Sequence, residues 1–290
     1  MSGPARSFAE TLDRLCASSR RNSRNPSDEI PWPDELDRDA WFTSPELMSV
    51  YGTDVWDGLT DRDRRRLSFW EAVNFYSLNI HGEKSLMEGL AARLYRRDMA
   101  EVTPYLHHML DEENKHSVYF GGFCTTYAGK VYGSRTLSLP REYASGEETF
   151  LFFAMVLVFE ETVDRFNVMM ARDERLDPVA RAINASHHDD EARHLIFGRR
   201  MVARLWDQWQ SRWEDEVRER IRAHVASYFA AMWRDYYNPE VYDDADLPDA
   251  RALPARLWAA PAQREHRARM SGRAVSLLSD MGVLVEEPAL

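Results

Sequence analysis

Between positions 187 and 194 the chain reads His187-His188-Asp189-Asp190-Glu191-Ala192-Arg193-His194, inside a helical pattern that spans Pro178 to Leu205. At 3.6 residues per turn, His187, Glu191 and His194 share one face, so two imidazoles and a carboxylate project toward whatever lies opposite. The rest of that face is apolar or small: Ala180, Ile183, Gly198, Met201 and Leu205. Three ionisable groups aimed at an oily interior are costly when bare, and a bound cation is the natural compensation.

Three further helical patterns offer donors of the same kind. In the first, Tyr76, Ile80, Glu83, Met87, Leu90 and Leu94 form one stripe with Glu83 as its only charge. Glu88 lies off that stripe and reads as solvated, and Glu71 is too far from the helix end to join the others. In the second, Leu106, Met109, Glu113, His116 and Phe120 share a stripe, which places Glu113 and His116 three apart between apolar neighbours. In the third, Glu160 aligns with Phe153, Val156, Leu157 and Val163, whereas Glu161 shares its face with Asp164 and Arg165. Glu160 is therefore the better inward residue and Glu161 the alternative, because a turn that is apolar all round constrains phase weakly.

One carboxylate from each of two helices plus a Glu-x-x-His pair from each of two others is the donor set of a di-iron site in a ferritin-like bundle. The expected ligands are Glu83, Glu113, His116, Glu160, His187, Glu191 and His194. Four carboxylates against two ferrous ions leave the buried centre neutral, with uncharged imidazoles. Glu112 and Asp190 each precede a ligand, so each is placed to accept the free ring N–H of a histidine on the neighbouring helix. Arg193 would balance their charge. The alternative for Glu112 and Asp190 is a solvated carboxylate. His81, His107, His108, His188, His224 and His266 have no acidic partner on a shared inward stripe and read as ordinary histidines.

The elements that must hold these groups can be traced in order. Residues 1–30 read as a loosely held, flexible N-terminal arm with one short helix around Phe8 to Leu15, and residues 31–285 as a single ferritin-like domain. Trp32, Trp41 and Phe42, with Pro31 and Pro33, predict an extended aromatic segment across a helical body. Thr60 or Asp61 starts the first long helix, which runs toward Arg97 with one interruption. Thr103-Pro104 starts the second, Ser145-Gly146-Glu147-Glu148 caps the third as a capping box, and Asp177-Pro178 caps the fourth. Gly121, Gly122, Gly129 and Gly133 end or loosen the second, and Pro140 marks the connection that follows. Beyond the fourth, one helix spans Trp206 to Tyr237 and stops at Asn238-Pro239, an acidic loop covers Glu240 to Asp249, and a surface helix covers Pro261 to Met281. Loops near 100 and 175 join the four in two hairpins, which brings all the donors to one level. The fold class is all-α, a four-helix bundle with an N-terminal aromatic segment and additional C-terminal helices.

Composition narrows the function classes. A net charge of -11 argues against nucleic acid and anionic membranes as partners. Two cysteines are too few for a disulfide framework and fit a cytoplasmic protein. No apolar core follows the basic residues near the N-terminus, so no signal peptide is expected. The longest apolar run, Leu151 to Phe159, is too short to cross a membrane.

The motif Asp190-Glu191-Ala192-Arg193-His194, paired with Glu112-Glu113-Asn114-Lys115-His116, is similar to those of di-iron oxygenases generally, including the soluble acyl-carrier desaturases. His187, four residues before Glu191, discriminates among them. A seventh protein ligand there resembles the p-aminobenzoate N-oxygenase (AurF-type) family, in which an additional histidine joins the usual two. Tyr51-Gly52-Thr53 to Leu59, Asn238-Pro239 and Tyr242 extend the likeness over residues 30 to 285.

The resemblance implies a non-haem di-iron oxygenase with two iron ions and O₂ as co-substrate. O₂ would be reduced to a peroxide, and an arylamine oxidised stepwise to the hydroxylamine and nitro compound. It further implies specialised metabolism such as antibiotic biosynthesis, a small-molecule amine either free or carrier-tethered, an external electron donor and a homodimer. Manganese in place of one iron stays open. Two other readings also stay open: a desaturase or hydroxylase acting on a carrier-bound chain, which gains if His187 only packs in the core, and a ferritin-like iron-handling protein.

Overall fold

Thr60 accepts the Asp63 N–H and Asp63 reaches back to Thr60, a capping box that starts a 33-residue helix. Asp177 accepts the Val179 N–H, with Pro178 in the first turn, and starts one of 32 residues. The computed structural model describes residues 7–133 and 142–290. Its α-helices are α1 (Phe8–Arg21), α2 (Pro26–Glu29), α3 (Asp54–Gly58), α4 (Asp61–Arg93), α5 (Thr103–Phe123), α6 (Glu147–Arg172), α7 (Pro178–Trp209), α8 (Asp215–Tyr236), α9 (Pro239–Asp244), α10 (Leu253–Ala259) and α11 (Pro261–Asp280). Among the described residues the only β-type pairing is an isolated bridge between Trp41 and Leu176, which ties the aromatic segment to the α6–α7 turn. No helix among them is long and apolar enough to cross a membrane.

Two hairpins, α4 with α5 and α6 with α7, form the four-helix bundle. Its core is divided along the axis. At one end Tyr76, Phe120, Phe166 and Ile183 pack with Phe42 and Leu47 of the aromatic segment. At the other, Leu90, Met109, Leu157 and Met201 pack with Leu12 and Leu15. The expected ligands lie between these two apolar clusters in every one of the four helices. Each fully buried large apolar side chain stabilises by about 1.5–3 kcal/mol, so the clusters can carry a polar layer between them.

Several expectations need correcting. The short helix expected around Phe8 to Leu15 is present but runs 14 residues, capped by Ser7 and Glu10, and it is not loosely held: it buries Leu12, Leu15 and Cys16 against α5 and α7. Thr103 falls inside α5 rather than capping it. No capping box forms at Ser145. Gly146 takes the N-cap position at φ +79°, where a Cβ would strike the Trp209 ring, while Glu147 accepts the Ala144 N–H and pairs with Arg220. Among the glycines expected to end or loosen the second helix, Gly121 and Gly122 lie in the last turn of α5, one wider π-turn (Cys124–Ala128) follows, and Gly129 terminates it as a left-handed C-cap at φ +69°; Gly133 lies just before residues 134–141, and Pro140 lies outside the described residues.

Nearer the C-terminus, α7 runs on to Trp209 and the next helix starts only at Asp215, so Trp206 lies in the last turn of one helix instead of starting another. Asn238 caps the short α9 inside the acidic stretch. The last helix is no mere surface element. It packs on α6 and buries His266, Arg267, Met270 and Leu278, with the Arg267 guanidinium donating to Tyr237 Oη and Trp258 O.

Candidate metal centre

The two Glu-x-x-His pairs face each other from α5 and α7, with their histidines crossed. His116 Nδ1 lies 2.9 Å from Glu113 Oε2, and His194 Nδ1 lies 2.9 Å from Glu113 Oε1 and 3.2 Å from Glu191 Oε1. Each ring turns its other nitrogen outward to the acid on the opposite helix. His194 Nε2–H donates to Glu112 Oε2 at 2.8 Å, and His116 Nε2 stands 3.4 Å from Asp190 Oδ2. Arg193 donates to Glu112 at 2.6 Å and also to Asp190, closing the outer layer. A carboxylate on the outer nitrogen sets the tautomer and leaves Nδ1 of each ring free to donate its lone pair inward.

His187 enters from the same helix, with Nε2 3.0 Å from Glu191 Oε1 and 3.5 Å from Glu83 Oε1. Its Nδ1 is 2.6 Å from the side-chain amide of Asn167 on α6. Asn167 Oδ1 has no hydrogen-bond partner as the amide stands. Amide oxygen and nitrogen are assigned from the network. Turning the oxygen toward the ring lets it accept Nδ1–H and frees Nε2. Phe120 packs edge-on against His187 with ring centroids 4.9 Å apart, which fixes the imidazole plane.

All seven expected ligands are thus brought together, in three overlapping groups: Glu83, His116 and His187; Glu113, His116 and Glu191; Glu113, Glu160 and His194. The donor set is lopsided, with two imidazoles beside Glu83 and one beside Glu160. Both oxygens of Glu160, one of Glu191 and Nε2 of His187 are buried without hydrogen-bond partners. Buried polar atoms left this way are costly, and hard carboxylate oxygens with imidazole nitrogens suit iron or manganese. The residues present fit two divalent ions.

Electrostatics agrees. Burial, then the neighbouring carboxylates, push Glu83 and Glu160 well above the usual carboxylate range. Burial also opposes ionisation of Glu113 and Glu191, but the histidines outweigh it: Glu113 falls well below its usual range and Glu191 to about 2. His116, despite burial, is raised to about 9 by Asp190 and Glu113, while burial and the neighbouring His116 lower His187. Without a cation the cluster must hold protons; with one, they can leave.

Glu161 is buried but outside the cluster, paired with Arg199 at 2.5 Å and Arg273 at 3.2 Å. His188 does have an acid, Asp164 at 2.5 Å, supplied by the neighbouring helix rather than its own stripe. Asn167 was not legible as a partner: it sits two turns after Glu160 on the same face, a spacing that names no recipient until α7 is placed. Beside the Glu83–Glu160 edge, a cleft of about 470 Å³ opens between α4, α6 and α8.

No curated protein matches the chain. Among solved structures, a variant of R2-like ligand-binding oxidase with an aerobically reconstituted Mn/Fe cofactor aligns at TM-score 0.55 and 14% identity, covering 96% of this chain and 99% of that one. A second variant, anaerobically reconstituted with Mn/Fe, aligns at TM-score 0.56 and 14% identity over 99% and 100%. A third, with an Fe/Fe cofactor, aligns at 0.54 and 13% over 98% and 99%. These likenesses make the fold a ferritin-like helical bundle. The model of the AurF family, p-aminobenzoate N-oxygenase, matches residues 5–282, and the chain, matched over nearly its whole length, belongs to that family.

Proposed function

We propose that this protein oxidises an amine at nitrogen, using O₂ at a dimetal centre held by Glu83, Glu113, His116, Glu160, His187, Glu191 and His194. Family membership makes it an oxygen-dependent oxidase of the dimetal-carboxylate class. The observation that carries the finer reading is His187, aimed between Glu83 and Glu191 and backed by Asn167. When bound, two iron ions, or one manganese and one iron as in the R2-like oxidases, would supply the electrons and Lewis acidity for reducing O₂.

The chain's own residues do the rest. Glu113 and Glu191 stand between the two ends of the centre. Glu112, Asp190 and Asn167 hold the three imidazoles in the tautomers that ligate, and Arg193 neutralises the outer acids. Above the site, Tyr76 and Phe120 stack with centroids 5.3 Å apart and keep bulk water from that side. The reading carries with it a small-molecule amine, free or carrier-tethered, an external electron donor, a homodimeric cytoplasmic enzyme, and a place in specialised metabolism.

The test is anaerobic loading with ferrous iron, metal analysis, and exposure to O₂ with an arylamine. Two irons per chain and a hydroxylamine or nitro product by mass spectrometry are expected. A carbon-hydroxylated or desaturated product, or protein that takes up no metal, would overturn the proposal.

A further inference from the structure

On α4, Gly82 and Gly89 stand seven apart, and on α6 so do Phe152 and Phe159. The two pairs interlock. A Cβ on Gly82 would lie 2.5 Å from Phe159 Cζ, and one on Gly89 would overlap the Phe152 ring. Each ring therefore sits where only the absence of a side chain makes room. Gly82 and Phe159 are the immediate neighbours of Glu83 and Glu160, so their contact lies against the edge of the metal centre formed by those two carboxylates.

Both carboxylates of that edge are buried, and what stands between them and the outside is the layer of their chain neighbours, Gly82 and Phe159. Glu83 is 2% and Glu160 4% exposed, whereas Glu113, His116 and His194 are at 0%. The 470 Å³ cleft reaches that layer, with Gly82, Phe152, Phe159, Val163, Met232 and Trp233 in its walls and the exposed Lys84 and Glu88 at its rim, while Glu83 and Glu160 themselves lie behind Gly82 and Phe159. Phe159 is only half-buried, so its ring borders open space on the cleft side.

We infer that Phe159, seated on Gly82, is the gate between this cleft and the metal centre, and that the cleft selects an amine carried on an elongated, mainly apolar skeleton. The inference rests on the dimetal oxidase reading. The size argument is direct: a cavity of about 150 Å³ holds one benzene ring, and this cleft has about three times that volume. A single-ring amine would leave most of the walls uncovered. A two-ring or longer molecule covers them and gains accordingly. The ring of Phe159 turns away from Gly82 to let the amino end reach Glu83 and Glu160, and otherwise shields the centre from water.

Two measurements test this separately from the reaction. In metal-free protein, calorimetry should show 4-aminobiphenyl binding at least tenfold more tightly than aniline, and Met232→Trp should abolish most of that advantage. Equal affinities, or indifference to Met232→Trp, would overturn the substrate class whether or not the protein is an oxidase. In diferric protein, 4-phenylphenol reaching the iron gives a visible charge-transfer band. Its rate of appearance should rise at least tenfold in Phe159→Ala and stay within twofold of wild type in Phe152→Ala, with iron content unchanged in both. An unchanged rate in Phe159→Ala, equal acceleration in Phe152→Ala, or no band in any variant would overturn the gate. Failure to load iron would overturn the dimetal reading and with it the gate, while the metal-free measurement would still decide the substrate class.

Discussion

Glu71 and Glu83 lie twelve residues apart on the same helix, both buried and both with pKa values raised above the usual carboxylate range, yet their surroundings are opposite. Glu71 is met by donors: the Ser49 N–H at 3.0 Å, the Ser49 hydroxyl at 2.5 Å and Tyr236 Oη at 3.4 Å. Glu83 is met by Glu113, Glu191 and Glu160, and by the imidazoles of His187 and His116, with no hydroxyl or amide among its neighbours in the described residues. Burial raises Glu71 to about 7, against the pull of its hydrogen bonds. For Glu83, neighbouring negative charge adds to burial. A buried acid surrounded by donors is a structural tie, here holding the aromatic segment to the bundle and the C-terminal helices. A buried acid surrounded by acids is half of a cation site.

If these surroundings matter, the two acids respond oppositely to truncation. Glu83→Ala should lose metal at the end shared with His116 and His187, leaving one ion or none, while the metal-free variant unfolds no earlier than wild type because an unpaired buried acid has been removed. Glu71→Ala should keep both ions but lose about 2–4 kcal/mol, the cost of a cavity plus an unsatisfied Ser49 N–H. Metal analysis and thermal melts of both variants decide it.

Glu71 is protonated in the folded chain up to about pH 7 but ionises near 4.5 when unfolded, so between those values the native state holds the extra proton. Its contribution is complete below the unfolded pKa and is lost as pH rises through the folded one, by up to about 3 kcal/mol. Subtracting the profile of Glu71→Gln, measured in denaturant on metal-free protein, should isolate this fall. A difference that is flat from pH 4 to 8 contradicts it.

The smallest effect concerns Asn167. Asn167→Leu should weaken metal binding by about 10–100-fold through misorientation of His187, with the fold retained. Binding as tight as in wild type would mean that Phe120 alone holds the ring.

The inward direction of the seven candidate ligands could be read from sequence because each stands on an apolar stripe, where helical periodicity fixes direction with respect to the core. Glu160 was separable from Glu161 on that ground, although both are buried; what distinguishes them in space is Arg199 and Arg273, contributed by α7 and α11. The docking of α1 was not legible, since its polar residues outweigh the three buried apolar ones, Leu12, Leu15 and Cys16, in any local average.

Local order thus determined which faces of α4, α5, α6 and α7 carry ionisable groups, because helix geometry repeats whatever the surroundings. Only the tertiary packing decided the partners: that Asn167 backs His187, that Glu112 and His194 cross between helices, and that Phe159 rests on Gly82. Such contacts join residues far apart in the chain, and no spacing along one helix encodes which side chain arrives from another.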